Sequence, residues 1–111
     1  MIVSSEMERQ LAILKEKYIA SLPEKVGSVC MLWESISEDN DATRLEELHR
    51  MAHSLSGSGA TYDQVQLSQS AKKLELCIKD HMAAGDIFDD VTKDEITVLL
   101  DLLVDSISTL Q

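Results

Sequence analysis

The sequence predicts an all-α fold: an up-and-down antiparallel four-helix bundle with an additional N-terminal helix, built as one domain over residues 1–111. Apolar residues recur three and four positions apart along most of the chain, and no segment has the pattern of a strand. Five segments with this spacing each begin with Ser or Thr followed three residues later by Glu or Gln, which is typical of a helix N-terminus. These pairs are Ser5/Glu8, Ser21/Glu24, Thr43/Glu46, Thr61/Gln64 and Thr92/Glu95.

Two helices are predicted in the N-terminal third of the chain, helix A over residues 5–20 and helix B over residues 22–37. Pro23 falls in the first turn of helix B, where its missing N–H group is not needed for a helical hydrogen bond. The expected core face of helix B consists of Val26, Val29, Trp33 and Ile36. We expect helix A to pack across one end of the bundle that the other helices form.

Three more helices are predicted after a polar turn: helix C over residues 42–58, helix D over 62–84 and helix E over 93–110. Gly85 fits the end of helix D. The core faces are Leu45, Leu48, Ala52 and Leu55 in helix C, Leu67, Ala71, Leu74 and Ile78 in helix D, and Ile96, Leu99, Leu103 and Ile107 in helix E. Helices of this length with one apolar face and short connections assemble as an antiparallel bundle.

The charge and composition of the chain restrict its partners. Its net charge is −10 and its pI is about 4.5, which argues against nucleic acid or an anionic membrane surface, because phosphate recognition requires a basic surface. The partner is therefore expected to be a protein or a small molecule. No secretion signal and no membrane-spanning segment is predicted, and Cys30 and Cys77 are expected to be reduced thiols. We accordingly expect a cytoplasmic protein.

One histidine stands out on helix C, in the stretch MAHSLSGSGATYDQ over residues 51–64. Helical spacing places His53 beside the core face of this helix, on its solvent-facing flank. Gly57 and Gly59 follow closely, although each glycine in a helix costs about 1 kcal/mol relative to alanine. Gly57 lies on the same face as His53, where a missing side chain lets another backbone come close. We interpret this face as an accessible imidazole with space cleared beside it.

The same stretch, together with AKKLE at residues 71–75, resembles the signature of the histidine phosphotransfer (HPt) domains of two-component phosphorelays. The agreement runs without gaps from Ala52 to Glu75. In that signature a phosphoaccepting histidine is followed by a Gly-Ser pair and, on the next helix, by Ala-x-x-Leu-Glu. The matching residues here are His53, Leu55, Gly57, Ser58, Ala71, Leu74 and Glu75. The family fold is the bundle that the apolar faces predict independently.

The resemblance implies a phosphocarrier without kinase activity of its own. His53 would accept a phosphoryl group from a receiver-domain aspartate and pass it to another receiver in a multistep His-Asp phosphorelay. A free imidazole has a pKa of about 6.5, so it is largely neutral and nucleophilic at pH 7. Because the chain has no P-loop and no kinase glycine-rich loop, no cofactor is expected. The expected partners are response-regulator receiver domains and a hybrid sensor histidine kinase, which would bind a monomer of this chain.

Two positions depart from the family signature. Ser56 replaces the usual lysine, whose charge would help to hold a phosphoryl group, and Asp63 replaces a glycine. We attribute Asp63 to the first turn of helix D, where a negative charge suits the helix dipole. Arg50 and Lys72 are the expected substitutes for the lysine, although a surface ion pair between Lys72 and Glu75 is an equally good interpretation. The predicted neighbourhood of the phosphoryl group is Arg50, Ser56, Gly57, Lys72 and Glu75. The predicted docking residues are His49, Met51, Gly57, Ala60 and Tyr62.

Two other interpretations remain open from the residues alone. A degenerate HPt-like helical module would bind a signalling protein without being phosphorylated, since Ser56 replaces the lysine. A metal site in the bundle is the other alternative, because helical i, i+4 spacing is a geometry that metal ligands use. Its candidate ligands are His49 and His53 with Glu46, and Cys77 and His81. We expect no metal, since nothing in the sequence brings the two pairs together.

Overall fold

The computed structural model describes residues 2–108, and in this part of the chain the regular structure is helical throughout, with no strand. Its elements are α1 (Ile2–Asp39), a 3-10 turn (Ala42–Arg44), α2 (Leu45–Thr61), α3 (Val65–Ala84) and α4 (Asp90–Ser108). The helices α2 and α3 have the most extensive contact, α3 also packs against α4, and α1 lies against both α2 and α4. The predicted all-α fold is confirmed.

The two helices predicted over residues 5–20 and 22–37 form the single helix α1, and the expected break at Ser21 does not occur. The hydroxyl of Ser21 donates to the backbone oxygen of Tyr18, at 2.6 Å, and so does not cap a new helix. Pro23 lies inside α1, although a proline in a helix interior costs about 3 kcal/mol. The helix continues because buried side chains lie on one face on both sides of this point, at Leu22 and Val26.

The N-terminal part of α1 does not pack across the end of the bundle as expected. Every side chain from residue 5 to residue 14 is exposed, and the first buried one is Tyr18. The helix of 38 residues is about 57 Å long at 1.5 Å per residue, and the longest extent of the molecule is 56 Å. Predicted helix A is therefore not a separate helix across the end of the bundle. It is the N-terminal extension of the first bundle helix.

The helices do not begin at the Ser and Thr residues predicted to start them. Ser5 and Ser21 lie inside α1, and the other three pairs lie near helix ends without starting a helix there. Asp41 provides the cap before the 3-10 turn, because its carboxylate accepts from the backbone N–H of Thr43 at 3.0 Å. Thr61 is the last residue of α2, and Thr92 is buried within α4. Gly85 does end α3 as predicted, with φ of +76° and its N–H donating to the carbonyl of His81. Residues 109 and 110, predicted to end helix E, lie outside the described residues.

The predicted core faces are confirmed for helices B, C and D and only in part for helix E, where Leu100 is buried instead of Leu99. All the core residues expected in helices B, C and D are buried. In helix E, Ile96 and Leu103 are buried, whereas Leu99 and Ile107 are half-buried against the core. Each fully buried aliphatic side chain contributes about 1.5–3 kcal/mol relative to an exposed one, so these faces determine how the helices assemble. Among residues 2–108, no helix combines the length and apolar character that crossing a membrane requires.

Candidate functional site

His53 lies on α2 with its side chain 66% exposed, as the helical spacing predicted. Its Nδ1 atom lies 2.9 Å from Oε2 of Glu75, which α3 places behind the imidazole ring. The Glu75 side chain is only 7% exposed. The sequence placed Glu75 among the neighbours of the phosphoryl group, and the structure brings it into direct contact with the histidine itself. One ring nitrogen of an otherwise exposed imidazole is thereby held against a buried carboxylate.

The carboxylate of Glu75 has basic neighbours on two helices. Lys72 Nζ lies 3.5 Å from Oε1, and His49 Nε2 lies 3.8 Å from Oε2. Burial by itself would raise the pKa of Glu75, but the hydrogen bond and charge of His53, with those of Lys72, outweigh it and lower the pKa. Glu75 is therefore ionised at neutral pH. Lys72 itself remains half in solvent, with a side chain that is 52% exposed.

His49 lies one turn before His53, and its ring runs nearly parallel to the His53 ring, with the centroids 6.4 Å apart. Its side chain is 27% exposed. The Nε2 atom of His49 is buried and makes no hydrogen bond within the described part of the chain. The 3.8 Å to Glu75 is too long for a hydrogen bond. His49 was predicted to lie on the docking surface, but most of its side chain is buried.

The two glycines after His53 serve different purposes. At Gly57, an added Cβ would meet nothing within 4 Å, so this position faces open space. Gly59 is buried, and a Cβ there would lie 3.1 Å from the backbone nitrogen of Ser68 on α3. The close approach of another backbone, which the sequence analysis assigned to Gly57, occurs within the chain at Gly59. The hydroxyl of Ser68 also donates to the backbone oxygen of Ser56, at 2.7 Å.

A contact that the sequence did not predict joins α1 to the end of α2. The hydroxyl groups of Tyr18 and Ser58 lie 2.7 Å apart. The ring of Tyr18 also stacks on Tyr62, with the ring centroids 4.5 Å apart. Tyr62, a predicted docking residue, is therefore half-buried against α1 and presents only part of its ring to a partner. The tyrosines lie 44 residues apart in the sequence, and only the packing of α1 on α2 brings them together.

Asp63 stands between α2 and α3, and its backbone explains why the family signature has glycine there. Its φ is +59°, in the left-handed region. Glycine adopts this region freely, and aspartate does so more readily than most residues, because its short side chain bonds locally. The helix α3 begins only at Val65. The expected role of Asp63 in the first turn of that helix is therefore wrong.

A groove of about 440 Å³ runs between α1 and α2, beside the turn of α2 that carries His53. Its lining includes the predicted residues Arg50 and Met51, together with Lys25 and Val29 from α1. Arg50 lines this groove on the α1 side, whereas Lys72 stands on the α3 side next to Glu75. The remaining predicted positions are Ser56, which is half-buried, and Ala60, which is exposed. The two cations expected to replace the lysine thus lie on different sides of α2.

The two pairs considered as metal ligands do not come together in the described part of the chain. His49 and His53 face Glu75. Cys77 and His81 instead lie with Glu95 of α4. A single site built from both pairs is therefore excluded.

Comparison with known proteins gives one match. A family model described as the Hpt domain matches residues 4–109, which is nearly the whole chain. No curated protein and no solved structure matches the chain.

Proposed function

Because this chain belongs to the Hpt domain family, and is thus a histidine phosphotransfer module of the kind used in phosphorelays, we propose that His53 accepts and donates the phosphoryl group. The observation that carries this proposal is the pairing of an exposed imidazole with a buried carboxylate, 2.9 Å apart. Hpt domains work with receiver domains and histidine kinases. The donor and the acceptor of the phosphoryl group are, in this proposal, aspartates of two receiver domains.

The pairing with Glu75 prepares His53 as a nucleophile. An ionised carboxylate can only accept a hydrogen bond. Nδ1 of His53 therefore carries a proton and donates a hydrogen bond to Glu75. The lone pair then resides on Nε2, the opposite nitrogen of the ring. We propose that Nε2 attacks phosphorus, with the aspartyl oxygen of the receiver as leaving group. The transfer onward is the reverse step, in which a second receiver's aspartate attacks the phosphohistidine.

Lys72 is the better supported substitute for the lysine that Ser56 replaces. A phosphoryl group carries up to two negative charges, and Glu75 adds one more behind the same imidazole. The Lys72 ammonium lies 3.5 Å from Glu75 and is half-exposed, so it compensates part of this charge. Arg50 is placed instead to meet a docked receiver, since it lines the groove on the α1 side. We therefore propose that Lys72 compensates charge beside the phosphoryl group and that Arg50 contacts the receiver, although both were expected to replace the lysine.

The groove between α1 and α2 is the surface on which we propose that receivers dock. Val29 and Leu55 form its buried apolar floor, and Met51 is partly exposed at its wall. Lys25 and Arg50 add positive charge in a chain whose net charge is −10. Receiver active sites are acidic, so this local positive charge favours the encounter. Gly57 leaves open space on the same helix, so that a receiver's aspartate reaches His53 without obstruction.

We also propose that the carrier works as a monomer in the cytoplasm. His53, Glu75 and Lys72 all come from one chain, so the site needs no second copy. Both cysteines are free thiols, which is the usual state in a reducing compartment.

The function is tested by phosphorylating the protein with labelled acetyl phosphate and a cognate receiver. The label should appear in an acid-labile, alkali-stable form, as expected for phosphohistidine. His53→Gln should remove it completely, since glutamine offers no nucleophilic nitrogen, while the control His81→Gln should keep it. Because the glutamine amide can still donate a hydrogen bond to the buried carboxylate of Glu75, the loss of stability should not exceed about 1 kcal/mol, the net contribution of one such bond.

Label on His53→Gln would refute the assignment of this residue. An unlabelled wild type that still binds several receivers would instead favour the degenerate binding module, for which the serine at position 56 is the supporting observation.

A further inference from the structure

A second group of reactive side chains lies between α3 and α4, away from His53. It consists of Cys77 and His81 on α3 and Glu95 on α4. Each residue offers one ligand atom, and these three atoms all lie within 4.8 Å of one another. Cys77 is buried, His81 is half-buried and Glu95 is exposed. The group is thus anchored in the core and open to solvent on one side.

We propose that Cys77, His81 and Glu95 bind a zinc ion that links α3 to α4, with a water molecule in the fourth position. Thiolate, imidazole and carboxylate are the three ligand types that zinc takes from proteins, and four-coordinate tetrahedral geometry is its usual arrangement. Soft sulfur beside nitrogen favours zinc over magnesium or calcium, which prefer oxygen ligands alone. This proposal does not depend on phosphotransfer at His53.

The distances fit a single ion. His81 Nε2 lies 3.4 Å from Glu95 Oε2. Two ligand atoms that each lie about 2.1 Å from a tetrahedral zinc ion are about 3.4 Å apart, and a sulfur and a nitrogen ligand are about 3.5 Å apart. All three ligand atoms are already within 4.8 Å of one another. In this proposal, side-chain rotations bring the three atoms to these separations.

Asp86 orients the imidazole of His81 as a ligand. Its Oδ1 lies 2.6 Å from His81 Nδ1, so it can accept a hydrogen bond from Nδ1–H while Nε2, which lies 3.4 Å from Glu95 Oε2, gives up its proton to solvent and binds the zinc ion. Histidines that bind metals characteristically donate their other ring N–H to a carboxylate in this way. The turn after α3 fixes Asp86, whose backbone N–H donates to the carbonyl of His81. The end of α3 thus positions a carboxylate behind its own histidine.

The local charge also favours a divalent cation. The carboxylates of Glu95, Asp80 and Asp86 surround Cys77 with negative charge. Such charge attracts a metal ion, and a thiol that coordinates the ion is deprotonated. On binding, the Sγ–H bond breaks, the zinc–sulfur bond forms and the proton goes to solvent.

Titration of the full-length chain with metal alone tests the site. The protein is reduced, freed of metal with a chelator and titrated with Co²⁺, then with Zn²⁺. We expect one Co²⁺ per chain, with thiolate-to-cobalt charge transfer in the near ultraviolet and the intense visible bands of tetrahedral cobalt. Zn²⁺ should displace the cobalt and raise the melting temperature. Absence of stoichiometric binding would overturn the proposal.

Variants then assign the ligands. Cys77→Ser should abolish the charge-transfer band, His81→Gln and Glu95→Gln should weaken binding at least tenfold, and Asp86→Asn should weaken it about 10- to 100-fold. The matched controls are Cys30→Ser and His49→Gln, which should bind as the wild type does. A charge-transfer band that persists in Cys77→Ser, or wild-type affinity in both His81→Gln and Glu95→Gln, would refute the site. If Cys77→Ser does not fold, the test rests on Glu95→Gln, because Glu95 is exposed. Wild-type affinity for Co²⁺ in that variant would then refute the site.

Discussion

The Nδ1 atom of His53 lies 2.9 Å from the buried carboxylate of Glu75, 22 residues away on the neighbouring helix. This contact crosses the interface of α2 and α3, so the bundle core determines the orientation of an imidazole that is otherwise in solvent. It also gives each partner a property that it lacks alone. The buried glutamate gains a partner for its charge, and in the proposed pairing the histidine keeps its proton on Nδ1.

Glu75→Gln should therefore slow phosphorylation of His53 by roughly tenfold or more, the scale on which a carboxylate that orients a histidine contributes. A glutamine can present its amide N–H to Nδ1 and so favour the tautomer with the proton on Nε2. Nitrogen NMR of the imidazole should show this change of tautomer. The control Lys72→Gln leaves the carboxylate in place and should keep the wild-type tautomer. An unchanged tautomer and rate in Glu75→Gln would contradict the proposed role of the pairing.

The same residue should give the protein a defined dependence of stability on pH. The folded-state pKa of Glu75 is lowered from its ordinary value of 4.5, so its ionised form stabilises the folded state. That contribution is present above pH 4.5 and is lost as the pH falls through the lowered folded-state pKa. The difference in free energy of unfolding between wild type and Glu75→Gln, about 1 kcal/mol at pH 7, should therefore shrink on acidification. Glu46→Gln, at an exposed position of α2, is the control, and a difference that grows at acid pH would contradict the assignment.

The sequence was a good guide to the faces of the helices and a poor guide to their ends. The core faces of predicted helices C and D follow from helical periodicity alone, and every residue of them is buried. The sequence did not predict that α1 is continuous, because Ser21 and Pro23 are typical of the start of a new helix. The helix continues because side chains on both sides of this point are buried against the bundle. That packing involves other helices, and it cannot be read from a single sequence.

Within the candidate site, the exposure of His53 could be predicted because it depends only on its angle from the core face. The buried state of Glu75 could not, since its partners come from both α2 and α3. The role of Gly59 depends on the approach of Ser68, and the stacking of Tyr62 depends on Tyr18 of α1. These relationships join distant parts of the chain and leave no local pattern. The glycine of the family signature at position 63 was the one available clue to the positive φ there.

Asp63→Gly should stabilise the protein by about 0.5 kcal/mol. The left-handed backbone costs an L-residue roughly 1–2 kcal/mol, and glycine avoids this cost while losing roughly 0.5–1 kcal/mol in chain entropy. Asp63→Val should lower stability, because a β-branched side chain fits this φ of +59° poorly. Denaturant unfolding measures both changes. Asn40, at φ of +49°, is not a matched position, because its side-chain oxygen accepts a hydrogen bond from Lys93 at 2.7 Å. A loss of stability in Asp63→Gly would contradict the argument.

Gly59→Ala and Gly57→Ala should change stability in opposite directions. A Cβ at position 59 would lie 3.1–3.2 Å from the backbone and Cβ of Ser68, and such overpacking costs about 1–3 kcal/mol. The gain in helix propensity, about 1 kcal/mol, does not offset it fully. At position 57 the added Cβ meets nothing, so only the gain remains. Thermal unfolding of the two variants side by side checks this, and equal stabilisation would show that α2 and α3 are not in close contact at Gly59.

Gly57→Gln should separate folding from phosphotransfer. The substitution should stabilise α2 by at most about 1 kcal/mol, because glutamine is a better helix former than glycine and the position is open. It should also slow transfer from a receiver, since a long side chain one turn from His53 obstructs the approach of the receiver's aspartate and misplaces the reacting atoms. The rate of transfer from a phosphorylated receiver is therefore measured beside the free energy of unfolding, because only the transfer rate should fall. If receiver-dependent transfer keeps its wild-type rate while the protein becomes more stable, the space at Gly57 is not used by the partner, and the docking surface proposed beside it is wrong.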